Sequence, residues 1–373
     1  MLKRTGYLLL LFPVGLVTPL GALGIALVLF ALSLLVNRRL SYIDGLLMVL
    51  AGIAAFSWLT VDSYARSFID THSGAYFVFL MVLRFLYVCR EDFLEFVATL
   101  PLYHYALLGA VYLLVQLHVG YTYEVGGLEV FAMIRLMIVR RQRNLLFAML
   151  MVYLLLMFAI STRSTPLAVA LLIGVIYLLD PPRILMRAAY LAVLIITPLM
   201  GYIMMTPGVP EALSGLDDNA AIRYEMLKGA TSTMGLDELL FGSGFGTPFR
   251  DPNFDYLFSH PLLNEQYWVH QVSSHNSLFD IFFRFGLPVY IAFCLKFMGC
   301  LNLLQVSNKH YYMLMFVALY SLYVNAYLDS TRLSHIFSIF VAGGMFTLAP
   351  RAVAATRSVL PEIPSHPSMK GLR

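Results

Sequence analysis

A histidine, an asparagine and an acid–base pair fall within one short stretch of the chain. It reads Ser273-Ser274-His275-Asn276-Ser277-Leu278-Phe279-Asp280 and runs on into Arg284, Gly286, Leu287 and Pro288. An imidazole with an ordinary pKa of about 6.5 can take a proton from a hydroxyl at neutral pH. Asn276 stands where a polar loop gives way to an apolar run, so it can orient that imidazole or cap the helix that begins there. Asp280 and Arg284 are four apart on one helix face and would pair, a structural arrangement that lowers the cost of carrying both in an apolar setting.

Other candidates lie upstream and downstream. Arg163 sits in Ser161-Thr162-Arg163-Ser164-Thr165, at the end of an apolar run. It reads either as a snorkelling arginine in a hairpin turn or as a guanidinium placed to grip phosphate bidentately. Arg223 has helical neighbours in Ala221-Ile222-Arg223-Tyr224-Glu225-Met226-Leu227-Lys228, and on its own reads as part of a solvated face. The turn Phe241-Gly242-Ser243-Gly244-Phe245-Gly246-Thr247-Pro248 lacks the flanking strand and helix of a nucleotide fingerprint, but can serve as a flexible or anion-contacting loop around Gly244. Asp329 and Arg332 share a short turn, and Arg250 and Tyr267 could reach a site from the long polar segment. His260, His270 and His275 are spaced ten and five apart, which fits no familiar metal-ligand pattern.

These residues must be positioned by membrane helices. Hydrophobic residues make up 60% of the 373 and charged ones 12%, with a mean hydropathy of +0.78. Soluble domains carry about 25% charged residues, so the composition excludes an ordinary soluble protein. The fold class is all-α, a polytopic helical membrane protein. Cys89, Cys294 and Cys300 show no CxxC spacing and read as packing residues. A net charge of +4 then reports orientation in the bilayer and gives no sign of nucleic-acid binding.

The apolar run 7–36 is too long for one upright helix, and Pro13 and Pro19 would break it into a hairpin. Lys3-Arg4 and Arg38-Arg39 both prefer the cytoplasm, which demands an even number of passes between them. The first helix reads as retained, because no small-residue cleavage site follows the basic start. Further runs fall at 42–60, 74–89, 96–118, 121–139, 144–160, 166–179, 184–205, 277–300, 309–328 and 332–349, giving about twelve passes with both ends inside. The segment 61–73 reads as an external link, and 121–139 as a short, broken crossing that ends at the basic cluster Arg140-Arg141-Gln142-Arg143. The organisation is thus a bundle over 1–206, a large loop over 207–276, three more helices over 277–350 and a disordered basic tail over 351–373. The loop holds nine acidic and three basic residues, which leaves about +10 on the rest of the chain and places the loop outside.

Taken in order, Thr162-Arg163-Ser164, Arg223, Gly242 to Gly246, and His275-Asn276 with Gly286-Leu287 resemble the motifs of the O-antigen ligase and polymerase superfamily of bacterial envelope glycosyltransferases. The first 140 residues resemble that family in hydropathy alone. The resemblance implies a GT-C-like membrane enzyme of the bacterial inner membrane, its site facing the periplasm. The donor would be a glycan on undecaprenyl diphosphate, and the acceptor either lipid A–core oligosaccharide (a ligase) or a lipid-linked saccharide (a polymerase). It also implies that Arg163 and Arg223 hold the diphosphate and that His275 deprotonates or orients the acceptor hydroxyl, without metal or cofactor. Asn276, Gly244, Arg250, Asp329 and Arg332 would support them. A twelve-helix transporter is the rival from another class. It would show internal repeats and interrupted helices in matching halves, which this sequence does not.

Overall fold

A computed structural model of the protein describes residues 2–11, 19–60, 63–119, Ala132, Arg135, 142–160, 182–206, 227–232, 234–245 and 276–303. Among them the regular elements are all helices: α1 (Leu2–Leu11), α2 (Pro19–Val36), α3 (Tyr42–Thr60), α4 (Ser63–Val88), α5 (Arg90–Thr99), α6 (Leu102–Val119), α7 (Arg143–Ile160), α8 (Arg183–Met204), the short α9 (Leu236–Phe241) and α10 (Ser277–Leu303). Three stretches are long and apolar enough to cross a membrane, namely Tyr42–Thr60, Ile184–Ile203 and Ser277–Met298. Shorter apolar helices run over Leu20–Val36, Ser73–Val88, Leu102–Val115 and Asn144–Ile160. The expected runs at 166–179, 309–328 and 332–349, nearly all of 121–139, and the tail lie outside the described residues.

Two boundaries differ from those expected. The link 61–73 is helical from Ser63 onward, so α4 begins earlier and carries Asp70 and His72. The run 96–118 is divided at Leu100-Pro101, because a residue before proline is driven out of the helical region; Leu100 has an extended ψ of 122°.

Helices α1 and α2 pack together, and α4 packs against α2, α3 and α5. A buried polar knot ties α2, α3 and α4. Arg84 of α4 is wholly buried and pairs with Asp44 of α3, while it also donates to the Ser33 hydroxyl and the Asn37 carbonyl. Asp44 does double duty. Its Oδ2 accepts from the Ser41 amide at 2.6 Å and the Ser41 hydroxyl at 2.8 Å, closing the first turn of α3 in the manner of a capping box.

Two prolines explain how α10 is seated. Pro198 inside α8 has no amide to give the Leu194 carbonyl four residues back. The Tyr290 hydroxyl of α10 donates to that carbonyl at 2.7 Å. In hydrocarbon an orphan carbonyl must find such a partner, so the defect fixes where the two helices touch. Pro288 creates the same problem inside α10, and its solution forms the candidate site.

Candidate functional site

Asn276 opens α10. Its Oδ1 accepts from the Phe279 amide at 3.0 Å, so the side chain caps the helix. Asn276 is buried, as is the whole first stretch from Ser277 to Arg284. This buried entrance is the end of α10 that follows His275 in the chain.

Helix α10 kinks at Gly286, between two and three turns on from Ser277. Gly286 has φ 78° and ψ 173°, a conformation essentially reserved for glycine. The kink and the missing Pro288 amide strip partners from the carbonyls of Phe283 and Arg284. The turn after α9 replaces them: the Ser243 amide donates to the Phe283 carbonyl at 2.7 Å and the Gly244 amide to the Arg284 carbonyl at 3.2 Å. Contact is so close that a Cβ on Gly286 would lie 2.5 Å from the Leu240 carbonyl oxygen, and one on Gly242 would lie 2.3 Å from the Arg284 carbonyl oxygen. Glycine at both positions lets the two backbones meet. These two amides are therefore committed to protein carbonyls, and an anion-contacting role for the turn loses them.

Side chains complete the lock. Arg284 and Asp280 pair at 3.2 Å, both fully buried, as their spacing leads one to expect. Arg284 also donates to the Gly244 carbonyl at 2.9 Å, and the Tyr76 hydroxyl of α4 donates to the second Asp280 oxygen at 2.8 Å. The rings of Tyr76, Phe245 and Phe285 meet edge to face at 5.2 to 5.6 Å. A salt bridge this deep pays a large desolvation cost, which its extra hydrogen bonds offset. Its role is to hold the loop turn, α4 and α10 in one register.

The preceding piece of the long polar segment is docked as well. Residues 227–232 are helical, with Leu227 and Ala230 buried, and Thr231 lies over Gly201 of α8 so closely that a Cβ there would meet its hydroxyl at 1.7 Å. Both described pieces of the segment thus sit on helices, one near the end of α8 and one on the kink inside α10. Of the residues singled out in the sequence, Asn276 and Gly244 are in this corner. His275, Arg163, Arg223, Arg250, Asp329, Arg332, Tyr267, His260 and His270 lie outside the described residues.

Sequence reasoning missed Tyr76, Asp44 and Arg84. The last two were open to detection, since a charge inside an apolar run always asks for a partner. Tyr76 gives no such signal; a tyrosine in a helix is ordinary until its hydroxyl has an address.

Apolar helices of membrane length, with polar chain docked on the kink of one of them, define a helical membrane protein. Residues 146–294 match the family model described as O-antigen ligase, so this part of the chain is similar to the O-antigen ligase and polymerase superfamily, a likeness that implies a glycosyltransferase or ligase type of enzyme. The matched segment contains Arg163, Arg223, Gly244, Arg250, His275 and Asn276 and stops short of Asp329 and Arg332. No curated protein and no solved structure matches the chain.

Proposed function

We propose that the protein is an O-antigen ligase that moves a glycan from undecaprenyl diphosphate to lipid A–core oligosaccharide at the periplasmic face of the bacterial inner membrane. The observation that carries this reading is that the family match spans the two arginines, the glycine turn and His275-Asn276 in a single segment. Arg163 and Arg223 grip the diphosphate. Their guanidinium groups stabilise the charge that develops as the bond from the anomeric carbon to the diphosphate oxygen breaks, without need of a metal. His275 takes the proton of the acceptor hydroxyl, whose oxygen forms the new glycosidic bond, and undecaprenyl diphosphate departs.

The described corner supports the roles of the neighbours. Asn276 uses its side-chain oxygen on the helix cap, so it positions His275 through the backbone and not by gripping the imidazole. The Asp280–Arg284–Gly244 lock, braced by Tyr76, keeps the α10 entrance fixed while a glycan chain is handled beside it. Arg250, Asp329 and Arg332 approach from the loop and the last outer turn. Twelve passes with both termini in the cytoplasm place all of these on the periplasmic side.

Deletion of the gene tests the acceptor. A ligase null accumulates full-length lipid-linked polymer over bare core. Core bearing a single repeat unit would make the enzyme a polymerase instead, and substrate uptake by purified protein without glycan transfer would make it a transporter. A chelator should leave transfer unaffected; loss restored by zinc would contradict the metal-free scheme.

A further inference from the structure

Helix α9 carries large apolar side chains on the outside of a polar segment. Phe241 is 80% exposed and Leu236 72%, and Leu240 between them is exposed as well. The other end of the helix is charged: Asp237 and Glu238 fill its first turn, and the Glu238 carboxylate accepts from the Gly235 amide at 2.9 Å. Apolar groups gathered on one short helix are costly to keep in water, and such a cluster marks a contact surface.

What covers that surface follows from its depth. Helix α9 and the turn after it touch two helices of membrane length, α3 and α10. On α10, the Leu240 carbonyl oxygen lies 2.5 Å from where a Gly286 Cβ would stand. On α3, the Ser57 hydroxyl lies 3.4 Å from the corresponding point of Gly244. Ser57 is three residues short of the end of α3, so the turn stands about 4.5 Å inside that end of the span. Around this level α3 exposes Phe56, Trp58 and Leu59, and tryptophan is enriched where membrane meets water. On α10 the change from buried to exposed falls at the same place. Residues 277–284 are buried, whereas past the kink Val289, Ile291 and Leu295 are exposed. Val289 follows Gly286 by three residues, or about 4.5 Å along the axis. The exposed end of α9 is therefore level with the apolar flanks of both helices.

We propose that α9 is an interfacial anchor, which sinks Phe241, Leu240 and Leu236 into the bilayer leaflet at the Asn276 end of α10 and leaves Asp237 and Glu238 among the headgroups. The occupant of its exposed face is bilayer lipid. Six helical residues span about 9 Å, so a tilted α9 sets its carboxylates and the Phe241 ring on opposite sides of the headgroup boundary. The long polar segment is then tied to the bilayer in its middle as well as to the helices at its ends. This tie fixes the height of the turn whose amides complete α10, whatever group the enzyme transfers.

The test uses the full chain in proteoliposomes, with Trp58 and Trp268, the two tryptophans of the sequence, replaced by phenylalanine. A single tryptophan is then introduced as Phe241→Trp. Leu295→Trp, on the exposed flank of α10, gives the immersed reference, and free N-acetyltryptophanamide gives the water reference. Fluorescence is quenched from the lipid side by phosphatidylcholine brominated on its acyl chains, and from the water side by iodide. For Phe241→Trp, brominated lipid should quench at least half as strongly as it does for Leu295→Trp, and the iodide quenching slope should fall several-fold below the water reference. Iodide quenching equal to that reference would put α9 in water and overturn the proposal. Shielding from iodide without quenching by brominated lipid would mean that protein, from this chain or a second copy, covers α9, and would overturn it equally. Leu236→Trp repeats the measurement one turn away and decides the matter should Phe241→Trp fail to fold.

Discussion

Replacing Gly286 by alanine attacks the corner at its tightest point. At φ 78° and ψ 173° a residue with a Cβ costs about 1–3 kcal/mol in backbone strain alone. The added carbon would stand 2.5 Å from the Leu240 oxygen and 2.8 Å from the Gly242 nitrogen, both backbone atoms that no rotamer change can move. The α9 turn must withdraw, and the Ser243 and Gly244 amides then leave the Phe283 and Arg284 carbonyls. Each buried polar group so orphaned costs about 1–3 kcal/mol. With the two carbonyls counted, the total is roughly 3–9 kcal/mol, comparable with the whole stability of a typical domain at about 5–15 kcal/mol. Gly244→Ala should be milder, because at φ 68° its Cβ meets just the Ser57 hydroxyl at 3.4 Å; strain of about 1–2 kcal/mol is expected. Gly52→Ala lies in helix α3 with nothing within 4 Å and should stabilise by up to about 1 kcal/mol. Thermal melts of the three variants in detergent, read beside glycan transfer in membranes, give the order. A Gly286→Ala protein that melts and works like Gly52→Ala would refute the idea that the turn and α10 depend on close backbone contact.

Four further outcomes are expected. Asp280→Ala should destabilise by about 3–5 kcal/mol, since it strands the buried Arg284 charge, whereas the double change Asp280→Leu with Arg284→Met should recover much of that loss in the same melt. Tyr290→Phe should cost about 1–3 kcal/mol by exposing the Leu194 carbonyl, and Pro198→Ala in the same chain should restore most of it, because the restored amide takes over. Arg84→Ala should lower the melting temperature more than Ser33→Ala does, as it leaves Asp44 charged and unpaired. Arg163→Lys should lose most glycan transfer with expression unchanged, because an ammonium cannot reproduce a bidentate contact; parental activity would remove Arg163 from diphosphate binding.

Much of the helical frame was legible because hydrocarbon admits few solutions. Apolar runs at 42–60, 144–160 and 184–205 became helices with nearly those ends. Spacing alone foretold the Asp280–Arg284 pair, and the Asn276 cap was one of two readings its position allowed. Two kinds of feature were not legible. The early start of α4 escaped because Asp70 and His72 look like loop residues, while the helix runs through both from Ser63 and packs on α3. Partnerships across the bundle escaped because neither Tyr76–Asp280 nor Tyr290–Leu194 leaves any trace in local sequence; each depends on which helices become neighbours. Glycine was half legible. The run around Gly244 announced a turn, but only the position of Gly286 against it shows that the turn is built to complete a broken helix.

The chemistry is tested most directly by purified protein, a defined glycan on undecaprenyl diphosphate and lipid A–core, with the parent chain and His275→Ala compared at equal folding. Transfer by the parent and none by the variant is the expected result. Full transfer by His275→Ala, or none by either protein, would contradict the assignment.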